Sequence, residues 1–198
     1  MLLRVIGLGL LLAVPAVPRA ADTGGSFAVK GVGLTRCKDF VAAVKEKKSD
    51  QVAMYVGWIG GFMTASNQLT TETFDLTPWQ NVRTLTAALV NHCDKNADTR
   101  FGAAVVRMAN ALKPDRLMER SILVPIEHEG RRHYVYKEAV RRAQAALTDL
   151  GMYSGDVNGD FDAATRAALE TYQKEHSLTA TGLPDQTTLF RLFRKPRS

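Results

Sequence analysis

The stretch Ala139-Val-Arg-Arg-Ala-Gln144-Ala-Ala-Leu147-Thr-Asp-Leu150-Gly151-Met-Tyr153-Ser-Gly155-Asp-Val-Asn158-Gly159-Asp-Phe161-Asp-Ala-Ala-Thr165 decides how this chain of 198 residues is read. Val140, Leu147 and Leu150 recur at helical spacing, so an amphipathic helix is expected up to Gly151, which ends it. A tight polar loop follows. Gly155 and Gly159 supply the positive φ that such a loop needs. Asp162 is placed to cap a second helix from Ala163, and Phe161 to plug the core between the helices.

Further on, Tyr172-Gln173, Thr181-Gly182-Leu183 and Asp185-Gln-Thr-Thr188-Leu189 continue the pattern. With these positions, Tyr136 to Phe193 resembles the small three-helix peptidoglycan-binding domain attached to many bacterial cell-wall proteins. The resemblance implies a cell-wall ligand, held in a shallow groove between the loop Tyr153 to Asp162 and the helix around Gln173. The expected contacts are Tyr153, stacked on a sugar face, and Asp156, Asn158, Asp160 and Gln173, hydrogen-bonded to amino-sugar or stem-peptide groups. Arg141, Arg142 and Arg166 are either partners for a stem carboxylate or plain solvated charges. The sequence departs from the domain's pattern at Met152, Asn158, Asp162 and Ser177. Ser177 stands where a helix-ending glycine is usual, at a cost of about 1 kcal/mol if its backbone is left-handed.

The other end has the layout of a secretory signal over residues 1–21: Arg4, an apolar run from Leu2 to Val17, then small residues and prolines. The run falls short of the roughly 20 residues that span a bilayer. Residues 22–33 are polar and glycine-rich and read as a flexible leader. Cys37 and Cys93 are the two cysteines, and in an exported chain they are expected to form a disulfide. Between them run helical patterns: Cys37, Phe40, Val41 and Val44; then a helix capped at Ser49-Asp50 with Val52, Tyr55, Val56, Ile59, Phe62, Met63 and Leu69 expected on one buried stripe. Gly57, Gly60 and Gly61 inside that helix suggest another backbone close by. Thr77-Pro78 reads as a third start, and Asp98 as the cap of a fourth helix that Pro114 ends.

Cys37, the run Tyr55-Val-Gly-Trp58-Ile-Gly-Gly61-Phe62, Ala65-Ser-Asn67 and His92-Cys93-Asp-Lys-Asn96 resemble the periplasmic helical proteins grouped with type VI secretion amidase-immunity proteins and acid-stress chaperones. The expected fold is therefore all-α. A disulfide-linked four-helix domain occupies 34–124, a charged linker 125–135, and the three-helix peptidoglycan-binding domain 136–198.

Several chemistries find no foothold. The net charge of +6 is spread along the chain, and nucleic-acid binding wants a concentrated patch or a known module. His128 and His133 are five apart, about 140° around a helix, where a zinc helix needs four. Asp156, Asn158, Asp160 and Asp162 mimic the start of a calcium loop, but Phe161 and Ala167 stand where such a loop needs glycine and glutamate. No catalytic residue, metal or cofactor is expected. The sequence points to an exported, non-catalytic peptidoglycan-binding protein, periplasmic or secreted, with no membrane contact after signal cleavage. It would anchor a helical partner-binding domain to the wall. The alternatives are an immunity-type inhibitor of a cell-wall amidase and, behind it, a cell-wall hydrolase.

Overall fold

A computed structural model describes residues 22, 24–128 and 130–193, so the expected signal segment lies outside the described residues. A 3-10 turn, Gly31–Leu34, leads into α1 (Cys37–Lys45), α2 (Ser49–Leu69), α3 (Val82–Lys95) and α4 (Phe101–Leu112). Two strands follow, β1 (Leu123–His128) and β2 (Arg131–Tyr136), then α5 (Lys137–Asp149), α6 (Ala163–Glu175) and α7 (Gln186–Leu192).

The first core gathers the apolar stripes of α1 to α4 around Phe40, Ile59, Leu89, Phe101 and Val105. Phe40 packs with its ring centroid 5.0 Å from Tyr55 and 4.8 Å from Phe101. Cys37 and Cys93 are bonded, as expected, and neither sulfur-bearing side chain is exposed. Backbone bonds run alongside: the Cys37 amide donates to the Thr99 carbonyl and the Phe101 amide to the Thr35 carbonyl, both at 2.9 Å.

Four local expectations are corrected. The leader is docked from Lys30 onward, because the Trp58 indole donates to the Lys30 carbonyl at 2.9 Å. A Cβ on Gly33 would lie 2.5 Å from the Trp58 ring, so that contact needs glycine. Gly57, Gly60 and Gly61 meet no neighbouring backbone, since a Cβ added at any of them reaches nothing within 4 Å. Thr77-Pro78 does not start a helix. Asp75 captures the Thr77 amide at 2.8 Å in a turn, and α3 begins after Asn81, whose side chain accepts from the Thr84 amide. Asp98 does not cap α4, whose N-cap is Arg100; its carboxylate faces Lys38 at 3.4 Å.

The expected linker is a β-hairpin, so the chain is mostly helical rather than all-α. The strands pair antiparallel with Ile126 opposite His133 and Pro125 opposite Tyr134, and Gly130 turns the chain at φ 72°. Pro125 is tolerated because both strands of a two-stranded sheet are edges. Ile126 is 1% exposed and anchors the hairpin, while Arg166 of α6 donates to the Glu127 carbonyl at 2.9 Å.

The second core holds Leu147, Tyr153, Ala168, Leu169 and Tyr172, with Phe161 and Leu192 packed against it. The halves also touch each other. Gln186 of α7 accepts from the Asn81 amide at 2.9 Å and the Thr84 hydroxyl at 2.6 Å, and donates to the Trp79 carbonyl. Trp79 meets Phe193 edge-on at 5.6 Å. Arg142 donates to the Asp115 carbonyl at 2.6 Å and also pairs with Glu138. The Glu138 carboxyl lies below its usual range because Arg141 donates to it, helped by Arg142 and opposed by burial. The Tyr136 phenol is pushed above its usual value by burial and by the nearby Asp75 carboxylate.

Ser177 adopts φ 55°, the left-handed conformation foreseen for the end of α6. Replacing it with glycine removes the Cβ strain, and Ser177→Gly is expected to raise stability by about 0.5–1 kcal/mol. Chemical denaturation midpoints of the two proteins check this; an unchanged or lowered midpoint would show that the serine carries no strain.

Candidate functional site

The loop after α5 is shaped by Gln144, a side chain with no exposed surface. Its amide Nε2 donates to the Asp160 carbonyl and the Thr165 hydroxyl at 2.9 Å each, and to the Tyr153 hydroxyl at 3.3 Å. Its Oε1 accepts from the Gly159 amide at 2.7 Å. Gly159 has φ 80°, and a Cβ there would sit 2.5 Å from the Lys137 carbonyl. One glutamine therefore fastens the far end of the loop and the first turn of α6.

The same clasp occurs a second time. Gln173 of α6 accepts from the Gly182 amide at 2.7 Å and donates at 2.9 Å to the Leu183 carbonyl and the Thr188 hydroxyl. In both clasps the glycine has positive φ and an aspartate three residues later caps the next helix. The threonine three residues beyond that aspartate accepts a hydrogen bond from the glutamine's amide N–H. The cap bonds are Thr165 amide to Asp162 at 2.7 Å and Thr188 amide to Asp185 at 2.9 Å. Burying an amide is costly unless its groups are paired, and here each glutamine saturates both ends. Sequence reasoning missed Gln144, Thr165, Asp185 and Thr188. The available signal was a glutamine on each apolar stripe, Gln144 between Val140 and Leu147 and Gln173 beside Leu169 and Tyr172.

The five expected wall contacts divide. Tyr153 is 6% exposed, so its ring does not line a surface groove. Gly151 turns the chain at φ 70°, the ring folds back into the core, and its hydroxyl donates to the Asp156 carbonyl at 3.0 Å. Gly155 has no room for a side chain over that phenol, 2.6 Å from where a Cβ would stand. Gln173 is fully buried in the second clasp, which also takes it out of the expected groove. Asp156, Asn158 and Asp160 are exposed and sit together on the loop. The Asp156 carboxylate meets no partner among the described residues, Asn158 accepts from the Asp160 amide at 2.8 Å, and Asp160 pairs with Lys137 at 2.6 Å.

The arginines considered for stem carboxylates are engaged within the chain. Arg141 and Arg142 hold Glu138, and Arg166 lies 4.9 Å over the Phe161 ring. The exposed loop thus offers acceptor oxygens rather than cations. It suits the hydroxyls and N–H groups of amino sugars, or an ammonium group, better than a carboxylate.

Residues 136–192 match the family model described as "Putative peptidoglycan binding domain". Over 59 residues the chain is 42% identical to the N-acetylmuramoyl-L-alanine amidase CwlM of Mycobacterium tuberculosis, a stretch that covers 30% of this chain and 14% of that relative. No solved structure matches the chain.

Proposed function

We propose that this is an exported, non-catalytic peptidoglycan-binding protein that holds a helical partner-binding half, residues 34–124, at the cell wall. The carrying observation is the family match over 136–192 falling on a clasped module whose Asp156–Asp160 loop faces solvent. The disulfide supports an oxidising compartment outside the cytoplasm, periplasmic or extracellular. Among the described residues the buried polar side chains are Gln144, Thr165, Gln173 and Thr188, all in the clasps. The loop grips the wall through Asp156, Asn158 and Asp160; Tyr153 and Gln144 shape it from inside, while Gln173 holds the second clasp.

Sedimentation with purified insoluble peptidoglycan tests this reading. The intact chain is expected to pellet with the sacculi, and a double Asp156→Ala, Asn158→Ala variant to bind roughly tenfold more weakly, the scale of one or two lost hydrogen bonds. If the intact chain stays in the supernatant, wall binding is wrong. If both proteins pellet alike, the loop is not the grip.

One observation favours a second reading, the immunity-type inhibitor of a cell-wall amidase. Met54, Gly57, Gly61, Ala65 and Leu69 share one side of α2, with Met54 60% and Leu69 63% exposed. An open face of small and apolar residues suits a protein partner. Cells co-expressing the chain with a cell-wall amidase exported to the same compartment are expected to survive; lysis at the same rate as without it would sink this reading.

A further inference from the structure

A cleft of about 530 Å³ opens between the halves, within the usual range for small-ligand sites. One wall is the Thr77–Asn81 segment with Trp79 and Gln80. The opposite wall is β2 with His133, Tyr134 and Tyr136. The floor is apolar, formed in part by Ile126 and Leu189, each 1% exposed. Tyr134 is 59% exposed, and its hydroxyl is held by the Arg132 guanidinium. Neither the helical half nor the three-helix module builds this cleft alone, since its second wall is the hairpin that joins them.

The charges within the cleft narrow what it takes. Its two carboxylates are already used. Asp75 accepts from the Thr77 amide at 2.8 Å and its hydroxyl at 3.1 Å, and Asp185 caps α7. No lysine or arginine lines it. The nearest cation, Arg132 at the Tyr134 hydroxyl, is already paired with Glu127, so a carboxylate-bearing stem peptide finds no free cation here. A ligand with apolar faces and neutral hydroxyl and amide groups would find aromatic rings, the side-chain amides of Gln80 and Asn81, and an imidazole. Aromatic residues with an apolar body and a polar tip suit such a ligand.

We infer that this cleft is a carbohydrate subsite, in which Trp79 and Tyr134 take the faces of an N-acetylated amino-sugar chain. The inference rests on the wall-binding reading and adds the glycan, rather than the stem peptide, as the part recognised between the halves. It also makes the helical half a participant in wall binding.

The test uses the intact chain and a soluble tetramer of β-1,4-linked N-acetylglucosamine, titrated by calorimetry beside sedimentation with sacculi. The wild type is expected to bind the tetramer, Tyr134→Ala to lose at least roughly tenfold in affinity, and Tyr134→Phe to keep most of it, since the ring face is retained. Melting curves of both variants establish that they fold; should Tyr134→Ala unfold, His133→Ala on the same wall takes its place, with a severalfold loss expected. Sacculi binding without tetramer binding, or full tetramer affinity in Tyr134→Ala, overturns the cleft and leaves the wall-binding reading standing. Tetramer binding with no sedimentation of the wild type does the reverse.

Discussion

Replacing Cys37 with serine is expected to cost about 4 kcal/mol, the loop-closure entropy that a cross-link over 56 residues removes from the unfolded chain. That is a large share of the stability of a domain this size. The loss falls on the helical half. The bridge ties the start of α1 to the end of α3, and α2 between them carries three glycines that no packing compensates. A hydroxyl in place of a sulfur with no exposed surface adds an unpaired polar group. The module from Tyr136 to Phe193 contains no cysteine and keeps its own core, so it is expected to stay folded. Thermal unfolding with and without reductant should show one transition moving down and a second staying in place. If reductant moves neither, the bridge does not hold the helical half together.

The second large effect is expected at Gln144. Changing it to leucine keeps the volume and removes both ends of the clasp. The buried Gly159 amide, the Asp160 carbonyl and the Thr165 hydroxyl then lose a partner. An unsatisfied buried group costs about 1–3 kcal/mol, so Gln144→Leu is expected to destabilise the module by roughly 3 kcal/mol or more. Hydrogen exchange should become fast from Gly151 to Thr165 first. Gln144→Leu combined with Thr165→Val should recover part of the loss, because it removes a buried hydroxyl left with only the 3.4 Å bonds to Tyr153 and the Asp160 carbonyl. A single variant as stable as the parent would show that water serves the loop as well as the glutamine does.

What the sequence made legible follows the strength of its periodicity. The stripes of α1, α2 and α4, the paired cysteines and the cap at Asp162 read out directly, because apolar spacing and side-chain caps are local signals. The hairpin did not. Leu123-Val-Pro-Ile126 and His133-Tyr-Val-Tyr136 flank Gly130 in the manner of paired strands, but the charges between them and Pro125 suggested a linker. Thr77-Pro78 misled for a related reason: the turn held by Asp75 uses the same residues that start helices. The candidate site was legible in its loop and not in its interior. Exposure of a loop tyrosine depends on which way the loop folds back, and Tyr153 is turned inward after Gly151; Gln173 is buried because it lies on the apolar stripe of α6.

The two clasps bridge different spans. From Gln144 to Gly159 is fifteen positions; from Gln173 to Gly182 it is nine. The closing bonds are the same in both, so the fastening is indifferent to how much chain lies between its ends, and added length costs only a slowly growing entropy. Within the longer span, Gly155 and the Asp156 carbonyl are held against the Tyr153 phenol, and the rest of Ser154 to Asn158 hangs from the fastening. The side chains of Ser154, Asp156 and Val157 face solvent and take no part in the fastening, so they can change while the helices beneath keep one design.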